Sequence, residues 1–367
     1  MTMNVIGIGL VTILLSIFLL LKIPKMKTKL IPKDELSQNG FSIIIPARNE
    51  EATIGKLLSS IMSQAVQPLE VIVVNDHSTD RTKQIAHEYG AKVVDNPPLP
   101  LGWLGKSWAC WNGAKHANGN ILLFMDADTW FTEAGFLKAV HFFQEQKKSI
   151  LSIHPYHQMK RGYEKLSAIF HLVVFIASGV TTPFGKKRGG FGQCLICEKA
   201  AYFAIGGHES IKGEIVENLA LIQHASSKGI SAHSYSGKAV ISMRMYQDGI
   251  GSVWKGWGKS FASGSTRTSF PRLVMIILWI SSLFSFLTNR SSLEQPYVFA
   301  IIYMILVLLF YRSLKDIGNF TLLDASLFPV HLLFFFLVFV YSFIRTFVLR
   351  NTSWKGRSIT ISKQKDG

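Results

Sequence analysis

Two carboxylates, Asp126 and Asp128, close an apolar run in the segment GNILLFMDADTW of a chain whose formal net charge is +16. Aspartates two positions apart on an extended segment lie on the same side. Hard carboxylate oxygens so placed suit Mg²⁺ or Mn²⁺ bridging a diphosphate. The competing reading is a helix N-cap, because Asp128 and Thr129 stand just before a helical pattern. Polar residues close two further apolar runs, PARNEE (Pro46 to Glu51) and NDHSTD (Asn75 to Asp80). Asp76 falls where a strand would end, a place from which a carboxylate can accept a proton from a nucleobase edge. Ser78, Thr79 and Asp80 read as a turn and helix cap. Asn49 and Glu50 read either as site residues or as the opening of the next helix, whereas Arg48 has no capping role to explain it.

These segments need a scaffold that brings them together. FSIII from Phe41 reads as a strand, after which Ile54, Leu57, Leu58, Ile61 and Met62 recur at helical spacing. LEVIVV is a second strand, followed by a helix from about Thr79 that Gly90 stops. AKVV is a third strand and ILLFM a fourth, the latter preceded by a helix ending near Gly119 and followed by one carrying Phe136, Leu137, Val140 and Phe143. ILSIH makes a fifth. Such alternation predicts an α/β fold, a mostly parallel sheet with helices on both faces. Ligands of these sheets bind at the carboxyl ends of the strands, where PARNEE, NDHSTD and DAD converge.

The 39 Lys+Arg against 23 Asp+Glu fit nucleic acid, an anionic membrane surface or a phosphorylated substrate. A mean hydropathy of +0.25, with apolar residues gathered at both ends of the chain, argues against a nucleic-acid partner. NVIGIGLVTILLSIFLLLKI, from Asn4, carries one charge and is long enough as a helix to cross a bilayer core of roughly 30 Å. Lys22, Lys25, Lys27 and Lys29 follow it. A signal peptide has the opposite order, so the run reads as an anchor with the rest of the chain cytoplasmic. Three more apolar blocks start at Leu273, Tyr297 and Leu327, the first two short for spans. Three crossings would put Arg350, Lys355 and Arg357 outside, against the positive-inside tendency. The last block, with Pro329 and His331, is therefore a candidate for a re-entrant or interfacial segment. Cys194 and Cys197 have C-x-x-C spacing but no second pair to complete a zinc site.

The segments IIIPARNEE, VIVVNDHSTD, LGWLGKSWACWNGA, LLFMDADT and FGQCLICEKAAYFAIGG, in this order and spacing, resemble the inverting GT-A glycosyltransferases of family 2. The resemblance covers roughly residues 41 to 260. WLGK together with a hydrophobic carboxyl-terminal region ending in WKGR (Trp354 to Arg357) is similar to a membrane-bound subgroup that acts on lipids. What the resemblance implies is a Rossmann-like GT-A catalytic domain at 41–262, between a transmembrane anchor at 1–24 and two or three helices at 272–350, with a basic tail at 351–367. It implies further that Pro46, Ala47, Arg48, Asn49, Glu50 and Asp76 hold the uridine of a UDP-sugar. Asp128 would be the principal ligand of a divalent cation, Mg²⁺ or Mn²⁺, with Asp126 beside it and nearer the ribose and sugar. Lys106, in the loop after the third strand, lies where the family approaches the nucleotide; its other reading is a solvated surface lysine. The cation would neutralise charge on the departing UDP while the sugar becomes oxocarbenium-like.

One departure from the family pattern is informative. In GEIVENLALI, Glu217 is followed by Asn218, where the family shows Glu-Asp with the Asp as general base on an acceptor hydroxyl. An amide cannot take that proton. Either Glu217 assumes the role, or the acceptor is a carboxylic acid, which with a reference pKa near 4 is already ionised. The plain alternative for Glu217 is a helix cap. The glycines and histidine of the IGGHE segment, Gly206, Gly207 and His208, fall in the acceptor region, as do Trp254 and Trp257 of RMYQDGIGSVWKGWGKSFASG. These indoles, with Phe261, Lys255 and Lys259, read either as an interfacial helix or as ordinary packing. GKKRGG at 185–190 reads as a mobile basic loop facing anionic lipid or the diphosphate.

The activity that the resemblance implies is transfer of glucose from UDP-glucose to the carboxylate of a C30 carotenoid acid in a bacterial cell membrane, alongside other carotenoid-pathway enzymes. Other lipid acceptors (diacylglycerol, polyprenyl phosphate) and a non-catalytic UDP-sugar sensor are the alternatives. A processive polysaccharide synthase would show a clear Q-x-x-R-W motif, which is not evident.

Overall fold

The computed structural model describes residues 4–20, 22–26, 40–146, 150–181, 189–214, 216–265, 268–344, 352–354 and 357–359. The first apolar run forms α1 (Val5–Leu20). An α/β unit follows: β1 (Phe41–Ala47), α2 (Ile54–Met62), β2 (Glu70–Asn75), α3 (Thr82–Glu88), β3 (Lys92–Asp95), α4 (Gly105–His116) and β4 (Ile121–Met125). The central strands are apolar on both faces, as strands covered by helices on both sides must be. Ile43 and Ile45 pack with Ile54, Leu57, Leu58 and Ile61 of α2, while Ile44 turns to the other layer with Ala109, Cys110 and Ala114 of α4.

Beyond β4 come β5 (Thr129–Phe131), α5 (Gly135–Glu145), β6 (Ile150–His154), β7 (Tyr156–His157), α6 (Ala168–Ser178), β8 (Cys194–Glu198), α7 (Lys199–Ala204), α8 (Glu217–Ser227), β9 (Ala232–Ser236) and β10 (Ile241–Met243). The main sheet has the order β3-β2-β1-β4-β8-β6-β9, parallel except for β8, which is antiparallel to both β4 and β6. From β1 the order runs one way through β2 and β3 and the other way from β4. A crevice therefore opens between the carboxyl ends of β1 and β4, the place where such sheets bind ligands. Cys194 and Cys197, three apart on β8, enter opposite layers of the core and cannot converge on one ion.

A second sheet, β5-β10-β7, begins directly after the aspartate pair. This corrects the capping alternative for Asp128: α5 starts at Gly135 behind Ala134, and a strand intervenes.

The remainder is helical: α9 (Ile250–Ser265), α10 (Phe270–Thr288), α11 (Pro296–Leu314), α12 (Leu322–Ser326) and α13 (Phe328–Phe343), then a ribbon of β11 (Thr352–Trp354) and β12 (Arg357–Ile359). The two apolar blocks that read as short in sequence are the cores of α10 and α11, 19 residues each, long and apolar enough to cross a membrane. They reach that length by recruiting flanking Phe270 to Arg272 and Arg312 to Leu314, which a hydropathy window discounts. Pro329 lies in the first turn of α13, where its missing N–H is no loss, so it starts a helix rather than breaking one. The amino- and carboxyl-terminal helices pack together: Trp279 Nε1 donates to Ser16 Oγ (2.9 Å), and Ser313 Oγ donates to the Leu20 carbonyl (3.0 Å). Lys25 ties this bundle to the sheet, its ammonium 2.6 Å from Asp316 and its backbone bridged to Ser236 of β9. Outward, Leu14, Ile277, Leu278, Ile301, Met304 and Leu308 are exposed. Lys27, Lys29, Arg350, Lys355 and residues 185–188 of the basic loop lie outside the described residues.

Candidate active site

The loops after β1 and β2 are laced together. Pro46 and Ala47 pair in register with Val74 and Asn75, and the Asp76 N–H donates to the Ala47 carbonyl (2.8 Å). Arg48 Nη1 donates to the Asp76 carbonyl (2.9 Å) and stands 3.7 Å from its carboxylate. Asn49 takes a left-handed conformation, φ 53°, which asparagine tolerates better than most residues. Its Oδ1 accepts the Thr79 N–H (2.8 Å), and its own N–H donates to Ser78 Oγ (3.1 Å). Asp80 accepts from the N–H groups of Glu51 (3.1 Å) and Thr82 (3.0 Å). Ser78, Thr79 and Asp80 are thus more than a turn; they lock the neighbouring loop. Asp76 is almost fully buried, its Oδ1 accepting from Asn96 Nδ2 (2.9 Å), whose Oδ1 in turn accepts from Asn112 (2.8 Å).

Asp126 and Asp128 occupy a turn rather than an extended segment. The Thr129 N–H and Oγ1 both donate to the Asp126 carbonyl (3.1 and 2.7 Å), and the Asp126 N–H donates to the Gln193 carbonyl (3.0 Å). Lys106 is not in a loop and not solvated: it lies in the first turn of α4, its side chain 22% exposed. Its Nζ is 2.7 Å from Asp126 Oδ1, 2.7 Å from Glu217 Oε1 and 3.3 Å from the Gly192 carbonyl. Burial opposes the charge on Lys106, but Asp126 and Glu217 overcome it and hold the ammonium well above its ordinary range. The aspartates move the other way from an ordinary carboxylate. Burial raises Asp126, with Lys106 opposing and Glu217 adding to the rise. Burial, then the neighbouring charges of Asp126 and Glu50, raise Asp128. Asp128 Oδ1 is buried without a hydrogen-bond partner. Clustered carboxylates that resist ionisation, one with an oxygen unsatisfied, fit a hard divalent cation.

Glu217 begins α8, and the capping alternative is set aside because that helix has Val216 at its cap and no side-chain cap bond. Asn218 Nδ2 donates to the Gly192 carbonyl, the same oxygen that accepts from Lys106. Asn218 also neighbours His208, a fully buried histidine that burial depresses to about 4, with Glu217 opposing. His208 N–H donates to the Tyr202 hydroxyl (3.1 Å), and that hydroxyl lies 2.8 Å from His208 Nδ1. Gly206 and Gly207, at φ 78° and 47°, bring the chain over the Tyr202 and Trp111 rings, where a Cβ on Gly207 would collide. This segment walls the site rather than entering it.

A cleft of about 460 Å³ opens on Asp128, lined also by Lys56, Trp130, Gln158, Lys160, Arg244 and Gln247. Lys56 Nζ sits 2.8 Å from the centroid of the Trp130 ring. Burial, then Lys160 and Arg244, lower its pKa to about 8. Arg244 is oriented by Glu164, Nη2 to Oε1 2.6 Å. These cations went unread in the sequence because they come from three segments far apart along the chain, none of which marks a cation-lined cleft by itself. Trp254 and Trp257 pack. Trp257 stacks on Phe170 (4.7 Å) with its N–H on Ser167 Oγ (3.0 Å), and Trp254 meets Phe334 and Tyr341. Trp257 nonetheless borders the site through Tyr246, 6.1 Å between rings, whose hydroxyl is raised by burial and by Asp128.

The sequence pattern described as Glycosyl transferase family 2 matches residues 42–206, the span of the crevice and both aspartates. The chain belongs to that family and is a glycosyltransferase of GT-A fold. It is 36% identical over 352 residues to the 4,4'-diaponeurosporenoate glycosyltransferase of Staphylococcus aureus strain N315, covering 93% of each chain. The counterpart from strain MRSA252 is 37% identical over 341 residues, covering 90% of each. Among solved structures, the mannosyltransferase PcManGT from Pyrobaculum calidifontis, in complex with GDP-Man and Mn²⁺, shares the fold with a TM-score of 0.52 over 93% of this chain and 95% of that one, at 14% identity.

Proposed function

We propose that this enzyme transfers glucose from UDP-glucose, with inversion, to the carboxylate of 4,4'-diaponeurosporenoic acid, making a glycosyl ester of the staphyloxanthin type. The observation that carries the reading is the cleft beside Asp128, which offers Lys56, Lys160 and Arg244 to an anion; the sequence adds that Asn218 stands where the family pattern has an acid. A carboxylate acceptor needs cations to seat it and no base to deprotonate it.

In this mechanism Arg48 and the buried Asp76 frame the uridine, with Pro46, Ala47, Asn49 and Glu50 shaping the loop around it. Asp128, with Asp126 beside it, would hold the divalent cation, which when bound offsets charge developing on the diphosphate. Lys106 bridges Asp126 and Glu217, offsetting their mutual repulsion and fixing both in place. One acceptor carboxylate oxygen attacks the anomeric carbon as the bond to the diphosphate oxygen breaks, its electron pair leaving with UDP. No proton moves. Glu217, engaged by Lys106, positions the sugar or acceptor, and Asn218 holds the Gly192 carbonyl that helps to orient Lys106.

The exposed apolar faces of α1, α10 and α11 support a site held at the cytoplasmic face of a cell membrane, where a long apolar acid dissolves. The test is turnover by the full-length protein in lipid, with radiolabelled UDP-glucose and the C30 acid as substrates. The expected product is a hexose ester that mild alkali cleaves. An alkali-stable glycoside, or turnover with diacylglycerol or polyprenyl phosphate but not with the acid, refutes the acceptor assignment. Lys160→Gln separates the two anions in the reaction: it should raise KM for the acid and leave that for UDP-glucose unchanged.

A further inference from the structure

His154, His157 and His171 meet in the core between the sheet and the helical bundle. His154 ends β6, His157 ends β7, and His171 lies in the second turn of α6, each only 2% exposed. Each offers one ring nitrogen such that the three lie within 4.8 Å of one another. Nδ1 of His154, Nε2 of His157 and Nδ1 of His171 are buried with no hydrogen-bond partner. Phe175 and Phe191 press on His154 (4.7 and 4.6 Å between ring centroids), and Trp257 stands edge-on to His171 (5.4 Å). Leaving three polar nitrogens unsatisfied in apolar surroundings is costly, and buried polar atoms without partners call for an explanation. The backbone around them is already committed: the His157 N–H donates to the Ile317 carbonyl (2.9 Å), and the His154 and His157 carbonyls accept from Gly237 (2.7 Å) and Asn319 (3.1 Å).

We propose that these three histidines bind a transition-metal ion, Zn²⁺ being the best chemical match, at a site separate from the aspartate pair. Imidazole nitrogens select zinc-like ions over Mg²⁺, and three histidines with a fourth position open form a recurrent zinc arrangement. Zinc–nitrogen bonds of about 2.0–2.1 Å place tetrahedral ligands roughly 3.4 Å apart, so the rings close slightly on the ion. Burial lowers all three below the ordinary histidine value, His154 to about 3, which keeps the imidazoles in the neutral form that ligates metals. Because α6 packs against α10, α11 and α13, the ion clasps the catalytic sheet to the bundle. Through Trp257 and Tyr246 the clasp also adjoins the Asp128 side of the site.

The test uses the full-length protein carrying Asp128→Asn, stripped with a chelator and titrated with Co²⁺. One equivalent should bind with the intense visible bands of four-coordinate cobalt, Zn²⁺ should displace it, and Zn²⁺ should raise Tm. His157→Gln and His171→Gln should each weaken uptake at least about tenfold. Should those variants fail to fold, the cobalt spectrum of the Asp128→Asn protein stands without them. Weak six-coordinate bands, uptake below about a tenth of an equivalent, or uptake indifferent to both histidine substitutions overturns the proposal.

Discussion

Lys106 Nζ lies 2.7 Å from Glu217 Oε1 and, on its other side, 2.7 Å from Asp126 Oδ1. A single ammonium on α4 thereby joins a carboxylate from the turn after β4 to one from the start of α8, segments some ninety positions apart. Lys106→Met removes the charge that opposes the rise of Asp126. The acid limb of the pH–rate profile should shift to higher pH, and kcat should fall by on the order of 100-fold. A limb that stays in place shows that Lys106 acts on the donor and not through Asp126.

Glu217→Gln keeps the shape at Lys106 and removes one charge. With the carotenoid acid as acceptor the variant should retain activity within about tenfold, with no new pH dependence, because an ionised acceptor needs no proton acceptor. Rates measured from pH 6 to 9 decide the matter; collapse to background throughout makes Glu217 the base.

Asp128 is raised from the ordinary value of 3.8 to about 7, so the native state binds its proton more tightly than the unfolded chain does. The sign follows from linkage: the metal-free protein loses stability as pH rises from about 4 through 7. Asp128→Asn abolishes that loss. Its metal-free Tm should exceed that of the wild type at pH 8 and match it near pH 4, while activity falls about 100-fold or more. Saturating Mn²⁺ should reverse the order at pH 8, raising the wild type above the variant.

What sequence reading recovers here depends on how local each signal is. β1, β2 and β4 are contiguous apolar runs ending in polar clusters, so both the strands and the crevice at their ends are legible in the sequence. The unusual Asn218 was equally visible against a family pattern. Lys106 was found but misplaced, because whether a lysine at the start of an amphipathic-poor helix faces water or a carboxylate depends on β8 and α8, which approach from far along the chain. The three-residue strands β5 and β10 have no periodicity to detect; pairing alone defines them. Lys56, Lys160 and Arg244 line one cleft only because that small sheet folds beside α2.

The buried bond from Trp279 Nε1 to Ser16 Oγ sets a further expectation. Trp279→Phe removes part of a fully buried ring and strands the hydroxyl of Ser16, and should lower stability by about 1–3 kcal/mol or more. Thermal unfolding in detergent measures it, and Ser16→Ala in the same background should recover part of the loss.

That bond has a temporal side. Its two residues are 263 positions apart, so at ordinary rates of translation Ser16 is added to the chain roughly 13 to 53 seconds before Trp279 is. Through that interval α1 carries Thr12 and Ser16 with no helix to receive them. The packing that joins α1 to α10 and α11 is therefore among the last to form, after nearly all of the catalytic unit has been made.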